Sequence, residues 1–194
     1  MGIYIKRLKA ERDILNMTKK KTGIILLIVL IAWVGVIFYF SSQPPAESYS
    51  QSKLAIKVIY KINDFFDISD TGFYEKISAF IKNNLLLGFG KSANIVVRKS
   101  AHFGIYLLLG LFTTALGYVY SKKRWVGLLL GVSFPVTIAV LDEYNQGLVG
   151  RSSSLSDVII DGAGAFTGSL IAMLFILAYG LIGLLSGRRK RRRF

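Results

Sequence analysis

The chain has 194 residues, 53% of them hydrophobic, and a formal net charge of +14 from 25 lysines and arginines against 11 acids. Apolar content this high, gathered into blocks, excludes an ordinary soluble domain, and the basic excess lies beside those blocks, which points to membrane topology and away from nucleic acid. Cysteine is absent and His102 is the single histidine, so no disulfide framework, thiol nucleophile, thiolate metal site or other cofactor is expected.

In chain order, residues 1–22 form a basic N-terminal segment that ends in Lys19, Lys20 and Lys21. The first apolar span, 23–40, has the length that nearly crosses a hydrocarbon core of about 30 Å at 1.5 Å per residue. Ser41 to Pro45 stops it. Three lysines before an apolar run also resemble a secretory signal, but the run is long and no small-x-small cleavage pattern follows, so it reads as an uncleaved anchor.

Residues 46–97 are the least membrane-like. Leu54, Val58, Ile62 and Phe65 recur at helical spacing with Lys53, Lys57 and Lys61 beside them, and Phe73, Ile77, Phe80 and Ile81 mark a second amphipathic helix over 73–87. Such helices suit either the headgroup layer of the outer leaflet or a small packed cap on the spans.

The remaining spans are 101–120, 125–141 and 158–185, followed by a basic tail, 186–194. Ser133, Pro135 and Thr137 predict a kink in the third span, while Gly162, Gly164, Ala165, Gly168 and Ala172 predict close helix packing by the fourth. The fold expected is all-α: a membrane domain over 23–185 with four transmembrane helices and an extracellular interfacial segment between the first and second. Cations before the first span, at 122–124 and at 188–193 make up 16 of the 25, with only Glu11 and Asp13 among them. The positive-inside rule therefore puts both termini and the 121–124 turn in the cytoplasm of a multi-pass cell-membrane protein.

With that topology, four polar clusters meet at the outer end of the spans, where ionisable groups are costly and usually mark a function or a paired partner. Arg98, His102 and Tyr106 share a helical face. Arg98 and Lys99 could hold an anionic headgroup or simply snorkel to the interface. His102, with Asp142 or Glu143, could exchange protons, or could merely be hydrogen-bonded. If the third helix continues past Leu141, Asp142 and Gln146 share a face. Adjacent carboxylates there need cations, and Arg98, Lys99 and Arg151 are available. Asp157 and Asp161 repeat the pattern at i and i+4, with capping and interhelical hydrogen bonding as their plainer roles. Ser152 to Ser154 fit turns and caps. No G-x-S-x-G elbow, H-E-x-x-H helix, P-loop or dinucleotide fingerprint occurs.

The ordered set Phe40-Ser41-Ser42-Gln43-Pro44, Arg98-Lys99-Ser100-Ala101-His102-Phe103-Gly104-Ile105-Tyr106, Asp142-Glu143-Tyr144-Asn145-Gln146 and Gly150-Arg151-Ser152 through Asp161 resembles the VanZ-like family over roughly residues 23–180. The resemblance implies a bacterial multi-pass envelope protein of a family named for a member that confers resistance to the lipoglycopeptide teicoplanin. The expectation is an outer-leaflet site for a lipid-linked cell-wall precursor or a lipoglycopeptide among membrane lipids. Arg98, Lys99 and Arg151 would contact its anionic groups, and Asp142, Glu143, Gln146, Asp157, Asp161, Ser42 and Gln43 would complete the polar site. The competing expectations are an intramembrane hydrolase or transferase acting on a polyprenyl-phosphate or glycolipid through His102 and Asp142 or Glu143, and a structural partner whose charges lock the helices together.

Overall fold

The computed structural model describes residues 2–51, 53, 54, 57 and 93–191. Among them lie four long helices, α1 (Gly2–Ser41), α2 (Ala93–Ser121), α3 (Arg124–Leu148) and α4 (Leu155–Arg191), and no strand. Each contains a stretch long and apolar enough to cross a membrane: Lys20–Ser41, Val97–Ser121, Arg124–Leu148 and Leu155–Leu184. Large apolar side chains point outward on all four, among them Ile25, Ile28 and Ile31 on α1, Leu108 and Tyr120 on α2, Leu129 and Val140 on α3, and Leu174 and Phe175 on α4. An apolar surface of that extent is stable only against lipid, so this is the body of a multi-pass membrane protein.

The helices outrun the spans expected from hydropathy, most clearly where α3 continues through residues 142–148. Hydropathy ends where polar side chains begin. A helix does not, provided those side chains find partners, and Gln146 Nε2 donates to Asp142 Oδ1 one turn away at 3.0 Å. Helix α3 also continues through Pro135, and Thr137 Oγ1 donates to the Ser133 carbonyl beside it. The amphipathic helix expected from Leu54 to Phe65 is described only at Lys53, Leu54 and Lys57, and the one expected over 73–87 lies outside the described residues.

Residues 122–123 join α2 to α3, with Lys122 in the left-handed region at φ 60°, and residues 149–154 join α3 to α4. Connections this short make sequential helices antiparallel. Hence α2 and α4 run parallel, and their N-terminal ends lie together. They form the principal contact of the bundle, α3 packs against both, and α1 leans on α2 and α3. Trp33 docks α1, its Nε1 donating to the Ile105 carbonyl at 3.0 Å and its ring meeting Phe112 edge-on.

Small residues bring the α2 and α4 backbones together. A Cβ on Gly164 would strike the Phe103 carbonyl and one on Gly168 the Leu107 carbonyl, while a Cβ on Gly110 of α2 would strike the Ala165 carbonyl. This is small-residue packing of the kind lipid-embedded helices use, where no hydrophobic force drives association. Gly162 differs, since a Cβ there would make only an ordinary 3.5 Å contact with the Val136 side chain.

Gly168→Ala is therefore expected to destabilise the protein by about 1–3 kcal/mol, the typical cost of overpacking. Gly162→Ala should be close to neutral. Thermal unfolding of both variants in the same detergent, followed by the loss of monodisperse protein, checks the difference.

Candidate functional site

At the end of the bundle where α1 and α3 finish and α2 and α4 start lies a cavity of about 280 Å³. Its wall combines Ile37, Phe40 and Ile105 with the polar groups of Arg98, His102 and Asp142, and Tyr106, Gln146 and Arg151 complete the polar part. The sequence clusters named above thus meet in space.

Helix α2 presents Arg98, His102 and Tyr106 from one face, and each finds an acid. Arg98 Nη2 lies 3.4 Å from Asp157 Oδ2, and buried Lys99 also pairs with Asp157 through its other oxygen. His102 Nδ1 lies 3.3 Å and 3.4 Å from the two oxygens of Asp161, which is fully buried. Tyr106 Oη donates to Asp142 Oδ2 at 3.0 Å. These contacts join α2 to two carboxylates of α4 and to one of α3.

The start of α4 is capped by Ser154, whose Oγ accepts the Ser156 N–H at 3.1 Å. The serine's own N–H donates to Glu143 Oε2 at 2.8 Å. Glu143 thus ties the 149–154 connection to α3. Asp157, in the first turn of α4, turns its carboxylate to Arg98 and Lys99. That position is favourable for an anion beside the helix N-terminus as well.

Arg151 is set by the end of α3. Gly150 adopts φ +77°, its N–H bonds to the Gly147 carbonyl at 3.2 Å, and the Arg151 N–H bonds to the Gln146 carbonyl at 3.0 Å. This pair of bonds is the Schellman arrangement, which needs a left-handed residue and so favours glycine. It folds the chain back so that Arg151 lines the cavity, with Nη1 donating to the Phe40 carbonyl at 3.1 Å and Nε buried without a partner among the described residues. Burial lowers the pKa of this guanidinium from its ordinary value and the like charge of Arg98 acts the same way, against the pull of Asp142, Glu143 and Asp157. An under-solvated cation on a cavity wall favours an anionic ligand.

The candidate residues divide accordingly. Arg98, His102, Asp142, Gln146 and Arg151 line the cavity, and Asp161 stands behind His102. Lys99, Asp157 and Glu143 lie outside its wall in the contacts just described. Ser42 and Gln43 also lie outside it. Ser42 Oγ accepts from Asn145 Nδ2 at 3.0 Å, the same nitrogen reaching Ser41 Oγ at 2.9 Å, and Gln43 Nε2 donates to the Tyr39 carbonyl. Ser41 Oγ donates to the Asp142 carbonyl at 3.1 Å, so these serines clamp α1 to α3 beside the site.

The acid that faces His102 at hydrogen-bond range is Asp161, from α4, with Asp142 also close by. Their nearest donor atoms, one from each residue, all lie within 4.8 Å of one another. Tyr106 was placed on the right face by its four-residue spacing, but its bond to Asp142 could not be read from one helix alone. No signal in the sequence marked Ser41 or Asn145 as the clamp.

No curated protein and no solved structure matches the chain. The VanZ/LLP1 family matches it over residues 26–176, a stretch that starts inside α1, ends inside α4 and includes every side chain of the cavity. With that match over most of its length, the chain belongs to the VanZ/LLP1 family.

Proposed function

We propose that the cavity binds the anionic headgroup of a lipid-linked cell-envelope component, or of a lipoglycopeptide, at the outer leaflet, and that in doing so the protein lowers susceptibility to teicoplanin-type antibiotics. One observation carries this reading: Arg98 and Arg151 stand on a cavity wall whose other members include Ile37, Phe40 and Ile105. Two guanidiniums beside an apolar surface match an amphiphile with a charged head and a hydrocarbon tail. Arg98 gives Asp157 a contact of only 3.4 Å and Arg151 Nε has no partner among the described residues, so both have donors to offer.

In this reading the site faces outward from the cell membrane. Residues 1–22, the 121–124 turn and residues 186–194 lie in the cytoplasm, and the apolar domain between the terminal segments spans the membrane four times. Support comes from the cations, 16 of 25 of which flank the ends opposite the cavity.

A second reading, an intramembrane hydrolase or transferase acting on a polyprenyl-phosphate or glycolipid, draws on the cluster of His102, Asp142 and Asp161. A histidine held by a buried carboxylate has the form of a general base, with Asp161 orienting the ring. Lys99 with Asp157, and Glu143 with Ser154, instead fit the purely structural role.

Expression of the wild type in a sensitive Gram-positive host is expected to raise the inhibitory concentration of teicoplanin and leave that of vancomycin unchanged. Arg151→Ala and Asp142→Asn, at membrane levels matched by immunoblot, should each abolish the rise. Unchanged protection by both variants would remove the polar site from the function. For purified protein, Arg151→Ala should weaken binding of a polyprenyl phosphate about 10–100-fold, the equivalent of one lost charge-assisted hydrogen bond.

The orientation has its own test, because the chain lacks cysteine. Ser50→Cys should react with an impermeant maleimide on intact cells, and Lys123→Cys only after permeabilisation. The reverse pattern would invert the topology. If the enzymatic reading holds, His102→Ala abolishes turnover of a polyprenyl-phosphate substrate, and product formation equal to wild type would exclude His102 as the base.

A further inference from the structure

We propose that His102, Asp142 and Asp161, joined by the amide oxygen of Gln146, bind one divalent transition-metal ion of the zinc or manganese kind at the polar wall of the cavity. The inference deepens the anionic-ligand reading and rests on it for the ion's purpose, though not for the ion's binding.

Geometry is the first support. One nitrogen of His102 and one oxygen from each aspartate lie within 4.8 Å of one another, from three different helices. Ligand atoms opposite each other across an octahedral ion stand about 4.2 Å apart, given metal–ligand distances near 2.1 Å, so small side-chain shifts close the site. One imidazole nitrogen with carboxylate oxygens suits zinc or manganese better than the all-oxygen preference of calcium and magnesium. An octahedral ion held by these four protein ligands keeps two positions open for further oxygens.

Unused acceptors are the second, independent support. Gln146 is 1% exposed and lines the cavity, yet its Oε1 has no hydrogen-bond partner among the described residues. Its Nε2 meanwhile holds Asp142 Oδ1. Asp161 Oδ1 is buried and accepts no hydrogen bond, although His102 Nδ1 is 3.3 Å away. Buried acceptors beside two carboxylates are positioned for a cation.

Charge is the third. Asp142 is held by Tyr106 and Gln146, both neutral donors, and Asp161 by His102. Two carboxylates at membrane depth carry two negative charges, which one divalent ion balances. Arg98 and Arg151 on the same wall then add positive charge, and an anionic headgroup oxygen can complete the coordination. No metal is expected from the sequence because one histidine cannot form a multi-histidine zinc centre. The carboxylates of α3 and α4 supply what histidine does not.

The experiment uses full-length protein in detergent with its affinity tag removed, stripped with EDTA and titrated with Mn²⁺ by electron paramagnetic resonance and with Zn²⁺ by elemental analysis after gel filtration. The wild type should bind one equivalent. His102→Gln and Asp142→Asn, confirmed as folded by their unfolding midpoints in EDTA, should bind about a hundredfold more weakly, at or beyond the upper end of what disturbing a ligand's supporting shell costs. Asp161→Asn should behave alike, and if it does not fold the first two variants decide. EDTA should lower the unfolding midpoint of the wild type but not of Asp142→Asn. Absence of bound ion in the wild type, or equal binding in the variants, overturns the proposal.

Binding of a polyprenyl phosphate to the same samples, with and without EDTA, separates the two readings. Lipid binding that survives EDTA in a protein without bound ion overturns the metal site and leaves the anionic-ligand reading intact. One bound ion with no lipid binding in either condition supports the metal site and overturns that reading.

Discussion

The close parallel approach of α2 and α4 is the constraint on which the site depends. Glycines at 164 and 168 put the α4 backbone against the carbonyls of Phe103 and Leu107, and Gly110 does the same from the other side. Parallel helices in contact keep a constant register. Accordingly Arg98 meets Asp157, His102 meets Asp161 and Ser169 reaches the Gly110 carbonyl, each pair 59 residues apart. Each helix repeats its polar groups every four residues, so one register satisfies both pairs at once. A shift of one turn would leave at least one carboxylate without its cation, at about 2.5–3.5 kcal/mol for a charge near the centre of a membrane helix and less toward its end.

Four carboxylates share this end of the bundle, and their partners assign them different work. Asp157 is bound by two cations and Glu143 holds a backbone N–H, so both build the scaffold. Asp142 takes neutral donors from Tyr106 and Gln146, and Asp161 takes a histidine. The first pair rigidifies the connection between α3 and α4, while Asp161, behind His102 at the cavity, keeps a buried Oδ1 that accepts no hydrogen bond among the described residues, as Glu143 keeps Oε1. Replacing one partner of a buried ion pair typically costs 3–5 kcal/mol, which explains why such scaffolding charges stay where they are even though apolar residues could pack as stably.

Much of this was legible in the sequence, and what was not has a physical reason. Hydropathy found four spans because lipid solvates an apolar helix face regardless of its neighbours. The four-residue spacing of Arg98, His102 and Tyr106 showed a common face because that property belongs to a single helix. The partner of His102 was not legible. Asp142, Glu143 and Asp161 are equivalent in composition and differ only in the interhelical register, which the backbone contacts of Gly164 and Gly168 set and no single-helix periodicity encodes. Ser42 and Gln43 carry the same ambiguity, since a polar helix end that closes on Asn145 or on its own carbonyls has the same sequence as one that faces a ligand.

The contrast between satisfied and unsatisfied groups gives the site its functional meaning. A bundle that used its charges only as fasteners would pair all of them, since each buried polar atom without a partner costs about 1–3 kcal/mol. Lys99 with Asp157 fits that rule. Among the described residues Thr114 Oγ1, Glu143 Oε1, Asp161 Oδ1, Gln146 Oε1 and Arg151 Nε do not, and the last two side chains line the same cavity between α1, α2 and α3. One is an acceptor and one a cationic donor, so no single neutral partner completes both. An anionic oxygen can meet the guanidinium and a cation the amide oxygen, and a phosphate headgroup accompanied by a metal ion supplies the two together.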